Sequence, residues 1–269
     1  MSYQALAVDL DGTLLHSDDR VTERSLRALR AAEAAGLRII VATARWYQLA
    51  ERVARDIDAK EPVIACAGAQ VRRMTDEHDL LDLRLPEPFA DALYAILDRT
   101  RSIVWIALDD SVVVKMEGAP PKLPRECVSL PKLAGKVRGV PRMVLVQGAE
   151  ATARVARELG EHWRESVRFV ESFSSKRKPM LTLTAAGADK GAALSVACAE
   201  LGISTGDVVA FGDAEADIEM FRVAGASVAM GQASEHVKSM ATTVTLSNDE
   251  DGVAVAIERL IANGDLPRR

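Results

Sequence analysis

Residues 5–13 read ALAVDLDGT. The run from Ala5 to Leu10 is aliphatic apart from Asp9, which suits a short buried strand, and Asp9 and Asp11 close it with Gly12 directly behind. Alternate side chains of a strand share a face, so the two aspartates are expected on the same side of the chain. Like charges held so close are unfavourable unless a cation or a shared proton accompanies them, and a magnesium ion would meet that need. A single aspartate at a strand end is ordinarily a turn or helix cap, so the surrounding pattern decides.

Working outward, a helix follows Thr22, its N-cap, with Leu26 and Leu29 in the apolar stripe and Gly36 where a C-terminal cap belongs. A strand over Leu37 to Ala42, a helix through Leu49 and Val53 and a strand over Val63 to Cys66 complete a β-α-β-α-β order. That order implies parallel strands joined by right-handed crossovers, with ligands gathering outside their carboxyl ends. The middle reads differently. It has a possible hairpin over Val71 to Leu85, a helix near Phe89 to Arg99, and an aliphatic stretch from Ile103 to Val114 broken by Asp109 and Asp110. A Pro-rich loop from Pro120 to Pro131 follows, then a strand over Met143 to Val146, a helix over Ala151 to Trp163, and strands near Arg168 to Phe173 and Met180 to Leu183. Strand beside strand suits a small α+β domain. From Lys190 the first rhythm returns: a helix to Leu201, a strand over Val208 to Phe211, a helix after Glu215 and a strand near Ser227 to Ala229. The expected class is therefore α/β, a Rossmann-like parallel-sheet core with an inserted α+β domain, divided as 1–82 and 179–269 for the core and 83–178 for the insert.

The 269 residues, 48% hydrophobic and 27% charged, fit a folded globular chain rather than a disordered or fibrous one. A formal charge of -5 and the lack of a sustained basic face argue against nucleic acid as partner. The short run Lys176, Arg177, Lys178 is read either as a solvated loop or as a local anion site. Three scattered cysteines suggest a reducing compartment, and no apolar run or charged leader points to a membrane or to export, so the expected setting is cytoplasmic.

Four strings in order carry a family resemblance. DLDGT at residues 9–13 is followed by VATAR at 41–45, ADKGAAL at 188–194 and FGDAEADIEMF at 211–221. Together they resemble the signatures of the haloacid-dehalogenase-like hydrolases. The insert's place, with CAGAQV at 66–71 and VAMGQAS at 228–234, resembles the Cof-type branch with its large α+β cap. The resemblance implies that Asp9 is the nucleophile and Asp11 a general acid and then base. It implies that Thr43, main-chain groups at Ala44, and Lys190 hold the phosphoryl group. Asp9, the Asp11 main-chain carbonyl and Asp213 would bind Mg2+, with Asp217 supporting them from behind. Arg45 either faces the substrate or cap, or is a surface charge at a helix start.

Cof-type chains usually carry Thr-Gly-Arg, Asn-Gly-Ala, Gly-Asp-x-x-Asn-Asp and Met-Gly-Asn-Ala, where this chain has Ala44, Ala67, Ala216 and Gln232. Loss of an asparagine removes hydrogen bonds that orient loops or ligands. Three readings stay open: a phosphatase acting on a small phosphorylated metabolite, such as a sugar phosphate, through an aspartyl-phosphate; a phosphomutase using the same intermediate; and a binding or regulatory protein with a weakened site. The expected partner is a small phosphorylated molecule, not nucleic acid or membrane, and the expected state is a monomer or weak homodimer.

Overall fold

The computed structural model describes residues 3–118, 122–173 and 177–264, so Pro120 and Lys176 lie outside the described residues. In chain order the elements begin β1 (Ala5–Val8), α1 (Glu23–Ala34), β2 (Arg38–Val41), α2 (Tyr47–Asp56), β3 (Val63–Ala65), β4 (Gln70–Arg72) and β5 (Asp79–Asp82). They continue α3 (Glu87–Leu97), β6 (Ile103–Ala107), β7 (Val112–Lys115), β8 (Cys127–Ser129), β9 (Met143–Gln147), α4 (Ala149–Trp163), β10 (Val167–Phe173) and β11 (Pro179–Ala185). The last are α5 (Lys190–Leu201), β12 (Val208–Gly212), α6 (Ile218–Val223), β13 (Ala226–Ala229), α7 (Glu235–Met240), β14 (Thr243–Val244) and α8 (Gly252–Asn263). The chain divides into two compact units, Met1–Leu81 with Asp189–Arg269, and Asp82–Ala188.

In the first unit a five-stranded sheet runs β14-β13-β12-β1-β2, parallel throughout. Every residue of β1 is buried, and alternation sends Leu6 and Val8 to one face and Ala5 and Ala7 to the other. The first face packs beneath Leu29 and Ala32 of α1 and Val253, Ile257 and Leu260 of α8. The second packs against Ala193, Leu194 and Ala197 of α5 and Met220 and Phe221 of α6. Helices on both faces hold the carboxyl ends of β1, β2 and β12 in a fixed relation. Thr22 caps α1 by accepting from Ser25 N, as its sequence position suggests.

Several local expectations need correction. β3 touches β2 only through the Ala42–Ile64 bridge and otherwise belongs to a three-stranded β3-β4-β5 sheet, because its partner along its length is antiparallel β4. The segment read as a Pro-rich loop contains β8, which pairs in parallel with β7. The boundary expected at 178 also moves. β11 pairs with β10 along Val167–Phe173 and with β9 on its other side, so these residues belong to the second unit, which runs to Ala188.

The second unit is built on a six-stranded sheet, β10-β11-β9-β6-β7-β8. Its core gathers Phe89, Leu93 and Leu97 of α3, Val155 and Leu159 of α4, and Val104, Ile106, Val144, Val146, Leu181 and Leu183 of the sheet. Phe89 stacks edge-on against Trp163 and Phe169. The completely buried Arg142 donates to Asp82 Oδ1 at 2.6 Å and to the Leu108 and Asp109 carbonyls at 2.6 and 3.1 Å. Among the described residues no helix is long and apolar enough to cross a membrane, and no disulfide joins Cys66, Cys127 and Cys198.

Candidate active site

The site grows from the carboxyl end of β1. Asp9 is 5% exposed, and its main-chain N–H donates to the Phe211 carbonyl, continuing the pairing with β12 by one residue. The chain then turns: Thr13 N and Leu15 N donate to the Leu10 carbonyl and Leu14 N to that of Asp9. That turn ends the two-residue alternation after Asp9, and the two carboxylates differ in burial. The Asp9 carboxylate lies in the interior. The Asp11 side chain is 55% exposed and held by Arg45, whose Nε and Nη2 reach its two oxygens at 2.9 and 2.5 Å.

Lys190 is the first residue of α5, whose N-cap Asp189 accepts from Ala192 N at 2.7 Å. Its ammonium, 3% exposed, donates at 2.6 Å to Asp9 Oδ1 and at 2.6 Å to Asp217 Oδ1. Asp217, wholly buried, accepts at Oδ2 from the main-chain N–H groups of Asp213 and Ala214, both at 3.0 Å. Both its oxygens are thus engaged in fixing the lysine and the loop after β12. Asp213 is the last member; Thr13 donates to its Oδ1 at 3.2 Å. Oxygens of Asp9, Asp213 and Asp217 all lie within 4.8 Å of one another.

Three carboxylates, two buried and one half-buried, therefore gather about one buried ammonium. Burial pushes the Asp9 carboxyl well above the usual carboxylate range despite the pull of Lys190, with Asp217 and Asp213 adding to the rise. Burial, and then the Asp217 charge, raise Asp213 to about 6. For Lys190 burial acts downward, but the Asp217 and Asp9 charges outweigh it and raise its pKa overall. Excess negative charge among close, hard oxygen donors fits a divalent cation such as magnesium. Asp9 and Asp213 are the natural donors, since Asp217 is already spent on Lys190 and the loop.

Two glycines make the approach possible. A Cβ on Gly12, at φ +79°, would stand 2.5 Å from Asp213 Oδ2, so only a residue without a side chain fits. A Cβ on Gly68, at φ +94°, would stand 2.3 Å from the Asp189 carbonyl carbon. Gly68 follows Cys66 and Ala67, both left-handed at φ 51° and 56°. Their N–H groups donate to the Arg45 and Thr43 carbonyls, tying this turn to the VATAR loop.

Thr43 is fully buried at the end of β2, and its Oγ1 accepts from Arg45 N at 3.1 Å. Ala44 beside it is exposed. Arg45 is neither a bare surface charge nor aimed into the carboxylate cluster: it spans Asp11 and, at 2.8 Å, Asp19. Sequence reading missed Asp19, and the structure supplies the reason. Asp19 sits in a left-handed turn at φ 63° that returns the loop to Arg45. It also missed Thr13, although the threonine of DGT was in view. Gln232, noted only as a departure from Asn, donates from Nε2 to the Gly12 carbonyl at 2.5 Å and accepts from Asn248 N at 3.2 Å. Asn248 in turn donates to the Leu15 carbonyl at 3.0 Å, so this pair clamps the turn after Asp9. Ala216 lies in the 3-10 turn Glu215–Asp217, whose loop the Asp217 carboxylate already orients.

Known proteins resemble this chain over most of its length. The family model described as haloacid dehalogenase-like hydrolase matches residues 6–257. The Bacillus subtilis protein YxeH is 30% identical, over 96% of this chain and 98% of its own length. YwtE of Bacillus subtilis, named a 5-amino-6-(5-phospho-D-ribitylamino)uracil phosphatase, is 26% identical over 96% of this chain and 98% of its own. The chain spans only 45% of a further relative, the chloroplastic endoribonuclease YBEY of Arabidopsis thaliana, 24% identical over 93% of this chain. A crystal structure of a haloacid dehalogenase-like hydrolase from Bacteroides thetaiotaomicron superimposes with a TM-score of 0.82 at 25% identity, covering 96% of this chain and 99% of that one. With the matched family spanning nearly all of the sequence and the four strings converging at one end of one sheet, this chain belongs to the haloacid dehalogenase-like hydrolases.

Proposed function

We propose that this protein is a magnesium-dependent phosphatase that hydrolyses a small phosphorylated metabolite, a sugar phosphate or similar, through an aspartyl-phosphate on Asp9. The chain is a phosphoric monoester hydrolase. The observation that carries the finer reading is the set of buried Asp9 and Asp217 and half-buried Asp213 around the Lys190 ammonium. YwtE, whose named substrate carries a phosphoribityl group, supports a small organic phosphate as the substrate class.

The Asp9 and Asp213 carboxylates and the Asp11 carbonyl would hold a magnesium ion, which supplies positive charge for the phosphoryl oxygens and for the nucleophile. Asp9 attacks phosphorus through the oxygen not engaged by Lys190, and the bond from phosphorus to the leaving oxygen breaks. Lys190 offsets the charge that gathers on the transferring group, while the Thr43 hydroxyl and the main-chain N–H of Ala44 hold its oxygens. Asp11 gives its proton to the leaving oxygen, then takes one from the water that opens the acyl-phosphate and restores Asp9. To do so its carboxylate must leave the Arg45 fork seen here, which makes Arg45 a residue that holds Asp11 in reserve. The second unit serves as the cap that selects substrate, in a cytoplasmic protein acting as a monomer or weak homodimer.

A panel of phosphorylated metabolites, assayed for phosphate release with magnesium and with chelator, tests this reading. Release from a few members, lost on chelation, is expected. No release from any member, or release indifferent to chelator, would overturn it.

A further inference from the structure

Two side-chain amides outside the carboxylate cluster bracket the turn that follows Asp9. Gln232 Nε2 donates to the Gly12 carbonyl at 2.5 Å, and Gln232 Oε1 accepts from Asn248 N at 3.2 Å. A carbonyl can only accept and a main-chain N–H only donate, so these partners fix which way the amide points. Gln232 stands on an anchored loop: Met230 N donates to the Gly212 carbonyl, directly before Asp213, and Gly231 N to the Leu246 carbonyl, both at 3.0 Å. A Cβ on Gly231 would stand 2.9 Å from the Leu246 carbonyl carbon, so main chain packs on main chain there. The Gly12–Thr13 peptide is therefore held at both ends, its N–H on the Leu10 carbonyl at 3.2 Å and its oxygen on Gln232. Gly12, left-handed at φ +79°, is the softest point of the turn, since a glycine backbone resists rotation least. Gln232 is exposed, and an exposed hydrogen bond adds little to stability. What this bond changes is where the peptide sits.

We propose that Gln232 is a positioning residue for the cation site. The inference rests on the magnesium ion proposed above for Asp9, Asp213 and the Asp11 carbonyl. The peptide that Gln232 holds lies between two groups that would serve this ion. On one side is Asp11, whose carbonyl belongs to the donor set; on the other is Thr13, whose hydroxyl donates to Asp213 Oδ1 at 3.2 Å. Rotation about Gly12 moves one relative to the other. Gly12 also lies directly against the Asp213 carboxylate, where a Cβ would stand 2.5 Å from Oδ2, so a shift of the turn displaces that carboxylate as well. Asn248, 8% exposed, extends the bracket by donating from Nδ2 to the Leu15 carbonyl at 3.0 Å. Magnesium demands near-ideal octahedral geometry from its oxygen donors, so small displacements of those donors weaken binding. Gln232 thus acts on the ion through the main chain of the turn.

The test is magnesium binding by isothermal titration calorimetry at about pH 7.5, on the full chain stripped of metal and without substrate. Gln232→Met keeps the length and neutrality of the side chain but cannot donate to the Gly12 carbonyl. It should weaken magnesium binding at least about tenfold, while the melting temperature of the metal-free protein changes by no more than about 2 °C. Thr13→Val should weaken binding too, and the double variant should lose less than the product of the two separate losses, because both act on one turn. Equal affinity in wild type and Gln232→Met would overturn the proposal. So would losses that simply multiply, or a fall of several degrees in the metal-free melting temperature, which marks a packing role. Phosphate release by the wild type separates this inference from the catalytic reading. If the wild type binds magnesium but releases no phosphate, weaker binding in Gln232→Met still upholds the positioning role while the phosphatase reading falls. A wild-type chain that binds no magnesium overturns both.

Discussion

Both units bury charge, and they do so differently. In the second unit Arg142 and Arg84 are set against Asp82 and Asp109, two cations to two carboxylates, with main-chain carbonyls taking up the remaining donors. In the first, one ammonium is set against three carboxylates. A balanced set holds structure together: each charge has its partner, and around the buried Arg142 the Asp82 and Asp109 carboxylates keep contact with water. An unbalanced one is stable only if something else arrives, and that marks it as a place for a ligand and for chemistry.

The sharpest way to break the comparison is Asp9→Asn. This change keeps shape and removes the nucleophile proposed above, so turnover should fall at least about 1000-fold with the fold intact by circular dichroism. A variant, free of contaminating phosphatase, that kept a few per cent of activity would show that the unbalanced cluster is not the reacting centre. Next in size is Arg142→Ala, which takes the donor from the Leu108 and Asp109 carbonyls while Asp82 keeps Arg84. It should cost about 1–3 kcal/mol in urea unfolding, and a loss below about 0.5 kcal/mol would mean that the balanced set contributes little.

A third test uses pH. Asp213 is raised to about 6 in the folded protein. Between its ordinary value and that figure the folded state holds a proton that the unfolded state has released, so without metal the contribution of this group to stability declines as pH rises through that window. Magnesium needs the deprotonated carboxylates. Added magnesium should therefore raise the melting temperature clearly at about pH 7.5 and hardly at about pH 5. An equal rise at both would remove the linkage. The smallest effect concerns Ala67, left-handed at φ 56° and ψ 30°. Ala67→Gly or Ala67→Asn should relieve backbone strain and raise stability by up to about 1 kcal/mol, with activity unchanged. A destabilised pair would show that the alanine methyl is needed there.

Much of this was legible in the residues. The strand ending at Asp9, the helix starting at Lys190 and the strand before Asp213 each carry an aliphatic run and a polar residue at its edge, which local pattern records well. What stayed hidden depends on distant contact or on backbone turns. The grip of Arg45 on Asp11 and Asp19 needs the left-handed turn at Asp19. The exchange of Asn for Gln232 reads as a loss, yet the longer amide still spans Gly12 and Asn248. The misplaced boundary arose because the aliphatic alternation of Met180 to Leu183 suits either sheet, and only pairing with Arg168 to Phe173 assigns it.

The two sheets also differ in when their strands can meet. β1 must pair with β12, and the Gln4 to Asp207 bond beside that pairing closes over 203 residues. Such a closure is entropically costly and slow. Every partner in the six-stranded sheet, by contrast, lies within Asp82–Ala188. In that unit a Cβ on Gly187 would stand 3.9 Å from Leu83 Cδ1, so the chain enters and leaves it side by side. Once the second unit has formed, the long loop behaves as a short one, and the residues that will surround Asp9 begin their search already near it. The insertion thus acts as a guide for assembling the core, and a lesion such as Arg142→Ala that loosens it should slow the appearance of the carboxylate cluster during refolding.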